Sequence, residues 1–194
     1  LSDLRGKLID IGLPGSGTRQ NAIDALNAGE IEWERGIDAY EEQTDIRLAK
    51  LMNSELDAFF YTVGHPNTDI KFATYSVRRA RFIPLANIDK ILSTNPYYSR
   101  YFIPIAEYPR ADNHKDVETV GVKATLLTSV SVSDEIVYAV TKTVFDELES
   151  LGEYEPVFKT FAKENMVEGL TAPLHPGAVR YYSEMALQVP TSLR

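Results

Sequence analysis

Cysteine is absent from this sequence of 194 residues, and histidine occurs only three times. Without cysteine the chain can form no disulfide, no thiolate nucleophile and no cysteine-ligated zinc site. The histidines His65, His114 and His175 lie on separate segments and lack the short spacing of a metal-binding pair. We therefore expect neither a metal ion nor another cofactor.

Basic residues and long apolar runs are also scarce. Lys and Arg number 20 against 28 Asp and Glu, so the net charge is −8. That charge disfavours nucleic acid and anionic membrane surfaces as partners. No apolar run approaches the roughly 18 residues of a membrane-spanning helix. The chain begins at Leu1 without a methionine or a secretory leader, and we expect that processing or truncation removed what preceded it.

Segments typical of strands and of helices alternate through the first ~110 residues. Strands are predicted at 8–11, 57–63 and 81–85, helices at 18–28, 44–53, 68–79 and 87–93, and an extended segment at 101–105. This alternation is typical of an α/β fold with a mostly parallel sheet and helices on both faces. At about 150 residues per domain, the length predicts one domain or slightly more.

After this α/β part the pattern of the chain becomes mainly helical. The predicted elements are a long strand at 119–128 and helices at 133–151, 156–165 and 176–187. Ile136 and Val140 belong to an apolar stripe on the first of these helices, and such a stripe is expected to pack against another element. We therefore predict two regions, 1–116 and 117–194.

The strongest local motif is a glycine-rich loop, GLPGSGTR at residues 12–19, between a predicted strand and a predicted helix. Such a loop lets the backbone approach a ligand, and the N–H groups that start the helix favour a carboxylate or a phosphate. Ser16, Gly17 and Thr18 would supply these donors, and Arg19 is a candidate charge partner. The spacing fits neither a Walker A loop, which needs lysine where Thr18 stands, nor a dinucleotide-binding fingerprint. The alternative is a tight turn with an ordinary helix cap at Ser16 or Thr18.

A second loop of this kind follows the predicted strand 57–63. It contains Gly64, His65 and Pro66 directly before a predicted helix. Loops that follow two strands of one parallel sheet lie at the same edge, where open α/β sheets bind their ligands. His65 could donate to an anion or cap the helix, and Pro66 is suited to starting the helix.

Several longer motifs resemble a known family. They are DLRGK at 3–7, GLPGSGTR at 12–19, DAFFYTVGHP at 57–66, PYY at 96–98, TVGVKA at 119–124 and LTAPLHPGA at 170–178. In this order they resemble the TAXI solute receptors of TRAP transporters, which are type-2 periplasmic binding proteins. The resemblance implies a two-lobed α/β receptor in the periplasm. Such a receptor closes on a small organic acid, often a glutamate-like one, and delivers it to the membrane subunits of the transporter.

The resemblance also implies how the chain divides between the two lobes. Family members carry a further βα series before the DLRGK motif. Residues 1–116 would therefore form the second ligand-binding lobe, and 117–194 would supply the crossing strand and the C-terminal helices of the first lobe. We expect the apolar stripe of residues 133–151 to be covered in one of three ways: by a second chain that holds the remaining first-lobe strands, by a second copy of this chain, or by folding back on the second lobe.

These observations predict a solute-binding receptor rather than an enzyme. The carboxylate of the solute would lie on the N–H groups of Ser16, Gly17 and Thr18, and Gly64 and His65 would form the opposite wall. The alternative is an enzyme that uses the glycine-rich loop as an oxyanion or phosphate cradle. No recognisable nucleophile–base pair in the sequence favours that alternative.

Overall fold

The computed structural model of the 194-residue chain describes residues 1–41, 44–77, 79–167 and 170–193. The chain divides into two compact units, Leu1–Gly121 and Val122–Arg194. The identification of residues 1–116 and 117–194 with the two lobes of a receptor stays a prediction.

A parallel sheet organises the first unit. Its strands are β1 (Leu8–Asp10), β2 (Asp38–Tyr40) and β3 (Ala58–Phe59), in the order β2-β1-β3. Ile9 of β1 pairs with Ala39 on one side and with Ala58 on the other. The helices of this unit are α1 (Gly17–Ala28), α2 (Trp33–Gly36), α3 (Thr44–Asn53), α4 (Thr68–Thr74) and α5 (Ile88–Thr94). The prediction of an α/β fold with a parallel sheet flanked by helices is confirmed.

The main core cluster joins β1 to α1. Ile9, Ile11 and Leu26 are fully buried and belong to this one cluster. The helix α1 forms because Ser16 caps its first turn and because Ala22 and Leu26, about one turn apart, give it an apolar face. Burial of a side chain such as Leu26 contributes about 1.5–3 kcal/mol. This packing fixes α1, and with it the glycine-rich loop that precedes the helix.

A second sheet pairs β4 (Tyr98–Ile103) with β5 (Val117–Val122). The strand predicted at 119–128 was wrong in its length, because β5 ends at Val122 and residues 123–128 carry no helix or strand. Both strands of this sheet are six residues long. An alternating sequence forms a strand only where a neighbouring strand supplies hydrogen bonds. The neighbour β4 has six residues, so β5 also pairs over six residues and ends at Val122.

The strand predicted at 81–85 does not form. The backbone of Phe82 instead bonds to a side chain: its N–H donates to Asn113 Oδ1 (2.8 Å), and its carbonyl accepts from Asn113 Nδ2 (3.0 Å). The amide of Asn113 therefore satisfies the backbone groups that a neighbouring strand would otherwise satisfy. The opposite error concerns β2, which was not predicted because three residues are too few to show an alternating pattern.

The second unit is mainly helical. Its helices are α6 (Asp134–Asp146), α7 (Leu148–Tyr154) and α8 (Pro176–Glu184), with 3-10 turns at Pro156–Thr160, Lys163–Asn165 and Thr191–Leu193. The helix predicted at 133–151 is interrupted at Glu147, whose φ of −101° and ψ of 15° depart from helical values. Two short 3-10 turns replace the helix predicted at 156–165.

The close packing of α6 and α8 depends on a glycine. A Cβ added at Gly177 would lie 2.3 Å from the carbonyl oxygen of Asp134 and 2.9 Å from the backbone nitrogen of Tyr138. His175 caps α8, because its Nδ1 accepts from the N–H of Gly177 (3.2 Å) and its Nε2 donates to the carbonyl of Val132 (3.0 Å). The start of α8 is thus held against the start of α6.

Part of the apolar stripe of α6 remains uncovered. Ile136 and Val140 lie on that stripe and are 58 % and 45 % exposed. Leu126, Leu127 and Val130, in the segment before α6, are exposed as well. We call these five side chains, which lie on α6 and in the segment that precedes it, the exposed apolar set of the second unit.

Candidate functional site

The candidate site lies where β1 and β3 end. The two strands are parallel neighbours, so the loops that follow them leave the same edge of the sheet. Just beyond β3, the N–H of Phe60 donates to the carbonyl of Asp10 (2.9 Å). Asn21 Nδ2 of α1 donates to Thr62 Oγ1 (2.8 Å). Direct contacts therefore join α1 to the segment that leads to Gly64.

Two glycines shape the loop after β1. Gly12 and Gly15 have φ values of 86° and 80°, in the region that most side chains avoid. A Cβ added at Gly12 would also lie 3.1 Å from Thr18 Cγ2 and 3.2 Å from the backbone nitrogen of Arg19. The N–H of Gly12 donates to Oδ1 of Asp10 (2.7 Å). The loop is therefore held close to the start of α1.

Two backbone N–H groups are open at the start of α1. Ser16 is the N-cap: its Oγ accepts from the N–H of Arg19 (3.2 Å), and its own N–H donates to the carbonyl of Leu13 (3.0 Å). Among the described residues, the N–H groups of Gly17 and Thr18 have no acceptor. The ordinary helix cap is thus present, and it leaves two N–H donors and the hydroxyl hydrogen of Ser16 for a ligand.

The guanidinium of Arg19 has partners of its own. It forms an ion pair with Glu41 and lies 3.4 Å from the carbonyl oxygen of Gly12. It also lies 4.9 Å from the centre of the Trp33 ring. Because Glu41 already balances its charge, Arg19 can act on an anionic ligand only by sharing or leaving that carboxylate.

His65 lies in an aromatic cluster after β3. Its Nδ1 is 2.6 Å from the hydroxyl of Tyr108. The rings of Phe82, Tyr101 and Tyr108 have centroids 6.0, 6.3 and 5.6 Å from that of His65. Burial lowers the pKa of His65 to about 4, so the imidazole is neutral at pH 7.

The start of α4 differs from the expectation for this loop. Asn67, rather than His65 or Pro66, caps the helix, because its Oδ1 accepts from the N–H of Ile70 (3.0 Å). Pro66 follows His65 through a cis peptide bond and lies before the helix. The helix is also shorter than the predicted 68–79, and position 78 lies outside the described residues.

A buried ion pair beside the two loops was not predicted. Asp10 is fully buried, and its Oδ2 lies 3.2 Å from Nε of Arg47, which is 5 % exposed. Arg47 Nη1 also donates to the carbonyl of Phe60 (3.0 Å), and its guanidinium lies 5.2 Å from the centre of the Tyr61 ring. The pair connects the loop after β1 with the segment after β3. The sequence signal that could have revealed it was a carboxylate within the apolar run 8–11.

The lowered pKa of His65 predicts that stability depends on pH. Its ordinary pKa is 6.5 and its folded pKa is about 4, so between these values the unfolded state binds more protons than the folded state. The free energy of unfolding should therefore fall as the pH is lowered from about 6.5 to about 4. Urea unfolding across this range should show a steeper pH dependence for the wild type than for His65→Gln. The matched control is the same substitution at His114, an exposed histidine. Equal curves for the wild type and His65→Gln would contradict the prediction.

Two loops leave the carboxyl edge of this parallel sheet, and the first of them leads to the open N–H donors at the start of α1. Such an edge is suited to binding a small molecule. The chain belongs to the NMT1-like family, whose sequence model matches residues 1–185. This is a family of binding proteins of the periplasmic-binding-protein type. The predicted class, a solute-binding protein, is confirmed at this level, and the assignment to the TAXI receptors stays a prediction.

No group of three or more metal-ligating side chains is placed to hold a metal ion within the described ranges. In the same part of the chain, no helix has both the length and the apolar character needed to cross a membrane.

Proposed function

We propose that this protein is an extracytoplasmic solute receptor of the TAXI type, which binds a small carboxylated solute for a TRAP transporter. The solute would be a glutamate-like amino acid or another organic acid, bound rather than chemically changed. The observation that carries the proposal is the pair of open N–H groups of Gly17 and Thr18 at the start of a 12-residue helix. The binding-protein family to which the chain belongs supports it. The receptor would act in the periplasm, with the membrane subunits of the transporter as partners.

Short-range donors explain how this site would hold an anion. The N–H groups and the positive end of the α1 dipole favour a carboxylate at this position. The net charge of −8 disfavours long-range attraction of an anion, so capture depends on these local groups. In this proposal the hydroxyl of Ser16 adds a third donor. Gly64 and His65, followed by Pro66, form the opposite wall.

Replacing Gly17 with proline should weaken binding of a carboxylated solute by about tenfold or more. Proline removes one N–H, and a hydrogen bond to a charged group contributes about 1.5–3 kcal/mol. The helix tolerates the change, because proline is favoured at the first helical position and Ser16 already has the extended ψ of 151° that precedes a proline. Titration calorimetry with L-glutamate measures the effect.

The matched control is Gly17→Ala. It keeps the N–H, and no atom lies within 4 Å of the added Cβ. Its affinity for L-glutamate should stay within about twofold of the wild type, because the N–H that binds the carboxylate is retained. Equal affinity of the wild type and Gly17→Pro would locate the solute elsewhere.

We further propose that a second chain, which supplies the first-lobe strands, covers the exposed apolar set of the second unit. Ile136 and Val140 are exposed on α6 itself, which packs against α8 through its other side. A large apolar side chain contributes about 1.5–3 kcal/mol when it is fully buried. Five such exposed side chains therefore favour association with another apolar surface.

In the absence of that second chain, the exposed apolar set should cause self-association. Light scattering should give a mass above the 21.8 kDa of one chain. The mass should fall when Ile136 and Val140 are replaced with serine, whereas Thr143→Ser at an exposed polar position of the same helix should not change it. Hydrogen exchange across 134–146 should be slower than in an unfolded peptide. The mass of a single chain, or α6 amides that exchange at unfolded rates, would refute the proposed surface.

A further inference from the structure

Tyr108 is fully buried, and its hydroxyl has two partners in the described part of the chain. The hydroxyl oxygen accepts from the N–H of Asn67 (2.8 Å). Its other partner is Nδ1 of His65 at 2.6 Å. Burial raises the pKa of Tyr108 to about 12, so the phenol keeps its proton at neutral pH.

These contacts fix the direction of the hydrogen bond between the two side chains. A hydroxyl has one hydrogen, and a buried O–H needs an acceptor. The Asn67 N–H can only donate, so the hydrogen of Tyr108 must go to Nδ1 of His65. A neutral imidazole that accepts at Nδ1 carries its own proton on Nε2. In the described part of the chain, Nε2 of His65 has no hydrogen-bond partner.

The ring packing also limits the orientation of His65. The Tyr108 ring lies edge-on to both Phe82 and His65, with centroid distances of 4.9 and 5.6 Å. The ring of Tyr101 stacks on His65 with an interplanar angle of 22°. A flip of the His65 ring would move Nδ1 away from the hydroxyl of Tyr108 and break their hydrogen bond. The ring contacts and the hydrogen bond together therefore hold His65 in one orientation.

We propose that Tyr108 is a positioning residue for ligand binding, which holds His65 as the Nε2–H tautomer so that Nε2 donates to an acceptor oxygen of the solute. The solute contact rests on the proposed function, whereas the tautomer does not. Because the imidazole is neutral and its acceptor nitrogen is used, it can bind a carboxylate, carbonyl or hydroxyl oxygen but offers nothing to an ammonium group. The part of the solute beside His65 should therefore be an oxygen.

The tautomer can be measured directly on the full chain without ligand. Nitrogen NMR of histidine-labelled protein at pH 7 should show His65 with its proton on Nε2 and a bare Nδ1, and His65→Gln identifies its signals. In Tyr108→Phe the preference should relax to a mixture of tautomers. A proton on Nδ1 in the wild type would overturn the assignment, and that result needs no variant to fold.

The solute contact is tested with L-glutamate as the probe, by titration calorimetry. Tyr108→Phe should bind L-glutamate about two- to tenfold more weakly than the wild type, a change that corresponds to the loss of one ordinary hydrogen bond. Tyr75→Phe, which removes a hydroxyl from an exposed tyrosine of the same unit, should match the wild type. Equal affinity of Tyr108→Phe and the wild type would overturn the inference and leave the proposed function intact. Failure of the wild type to bind L-glutamate would overturn the contact with a glutamate-like solute, and the NMR result would still decide the tautomer.

Discussion

Replacing Gly177 with alanine is expected to destabilise the second unit by about 2–3 kcal/mol. The added Cβ would lie 2.3 Å from the carbonyl oxygen of Asp134 and 2.9 Å from the nitrogen of Tyr138. Both are backbone atoms of α6, which cannot rotate aside as a flexible side chain can, so α8 must move away. Urea unfolding followed by circular dichroism measures the loss, and hydrogen exchange across 134–146 and 176–184 locates it.

The control for this prediction is alanine at Gly17. Both glycines lie in the first turn of a helix, but a Cβ at Gly17 has no atom within 4 Å. Alanine favours a helix over glycine by up to about 1 kcal/mol, so Gly17→Ala should be neutral or slightly stabilising. Unchanged stability in Gly177→Ala would contradict the close contact of α6 and α8.

Replacing Asp10 with asparagine should cost about 3–5 kcal/mol of stability, because it removes one charge of a buried ion pair. Asparagine has nearly the same shape as aspartate and keeps an oxygen that accepts from the N–H of Gly12. The measured loss therefore reports the removal of the negative charge. The guanidinium of Arg47 would lose the carboxylate that lies 3.2 Å from its Nε. Urea unfolding at pH 7 measures the loss.

Two controls separate this effect from a general loss of charge. Glu32→Gln breaks an ion pair with Arg35 whose side chains are 77 % and 84 % exposed, and it should cost less than about 0.5 kcal/mol. Adding Arg47→Met to Asp10→Asn should recover part of the loss, because an apolar side chain tolerates burial beside a neutral amide better than a charge does. A double variant as unstable as the sum of the two single variants would mean that the two side chains do not interact.

The parts of the fold that the sequence predicts correctly depend on local signals. The helix α1 has a serine cap and an apolar face within one short segment, so Ser16, Ala22 and Leu26 are sufficient to predict it. The glycine-rich loop is likewise a local motif, and its two positive-φ glycines take the conformations that glycine favours. The alternation of such segments was enough to predict a parallel sheet flanked by helices.

The parts that were missed depend on side chains far apart in the sequence. Asn113 replaces a strand neighbour for Phe82 from 31 residues away, and no local pattern could predict that. Tyr108 bonds to His65 across 43 residues, so the environment of that histidine was unknown even though the residue was singled out. The contacts around the predicted site residues likewise come from distant parts of the chain, and the role of these residues in binding a ligand stays a prediction.

The narrowness of the first sheet affects how the protein behaves at high concentration. In the described part of the chain, β2 and β3 are its outer strands, with three and two residues. An outer strand presents unpaired backbone groups, and long outer strands recruit strands from other molecules into aggregates. Strands this short offer very few such groups, and Asp38 adds an exposed charge to β2. The sheet is thereby protected against growth by strand addition, and aggregation of this protein is expected to begin at its exposed apolar side chains instead.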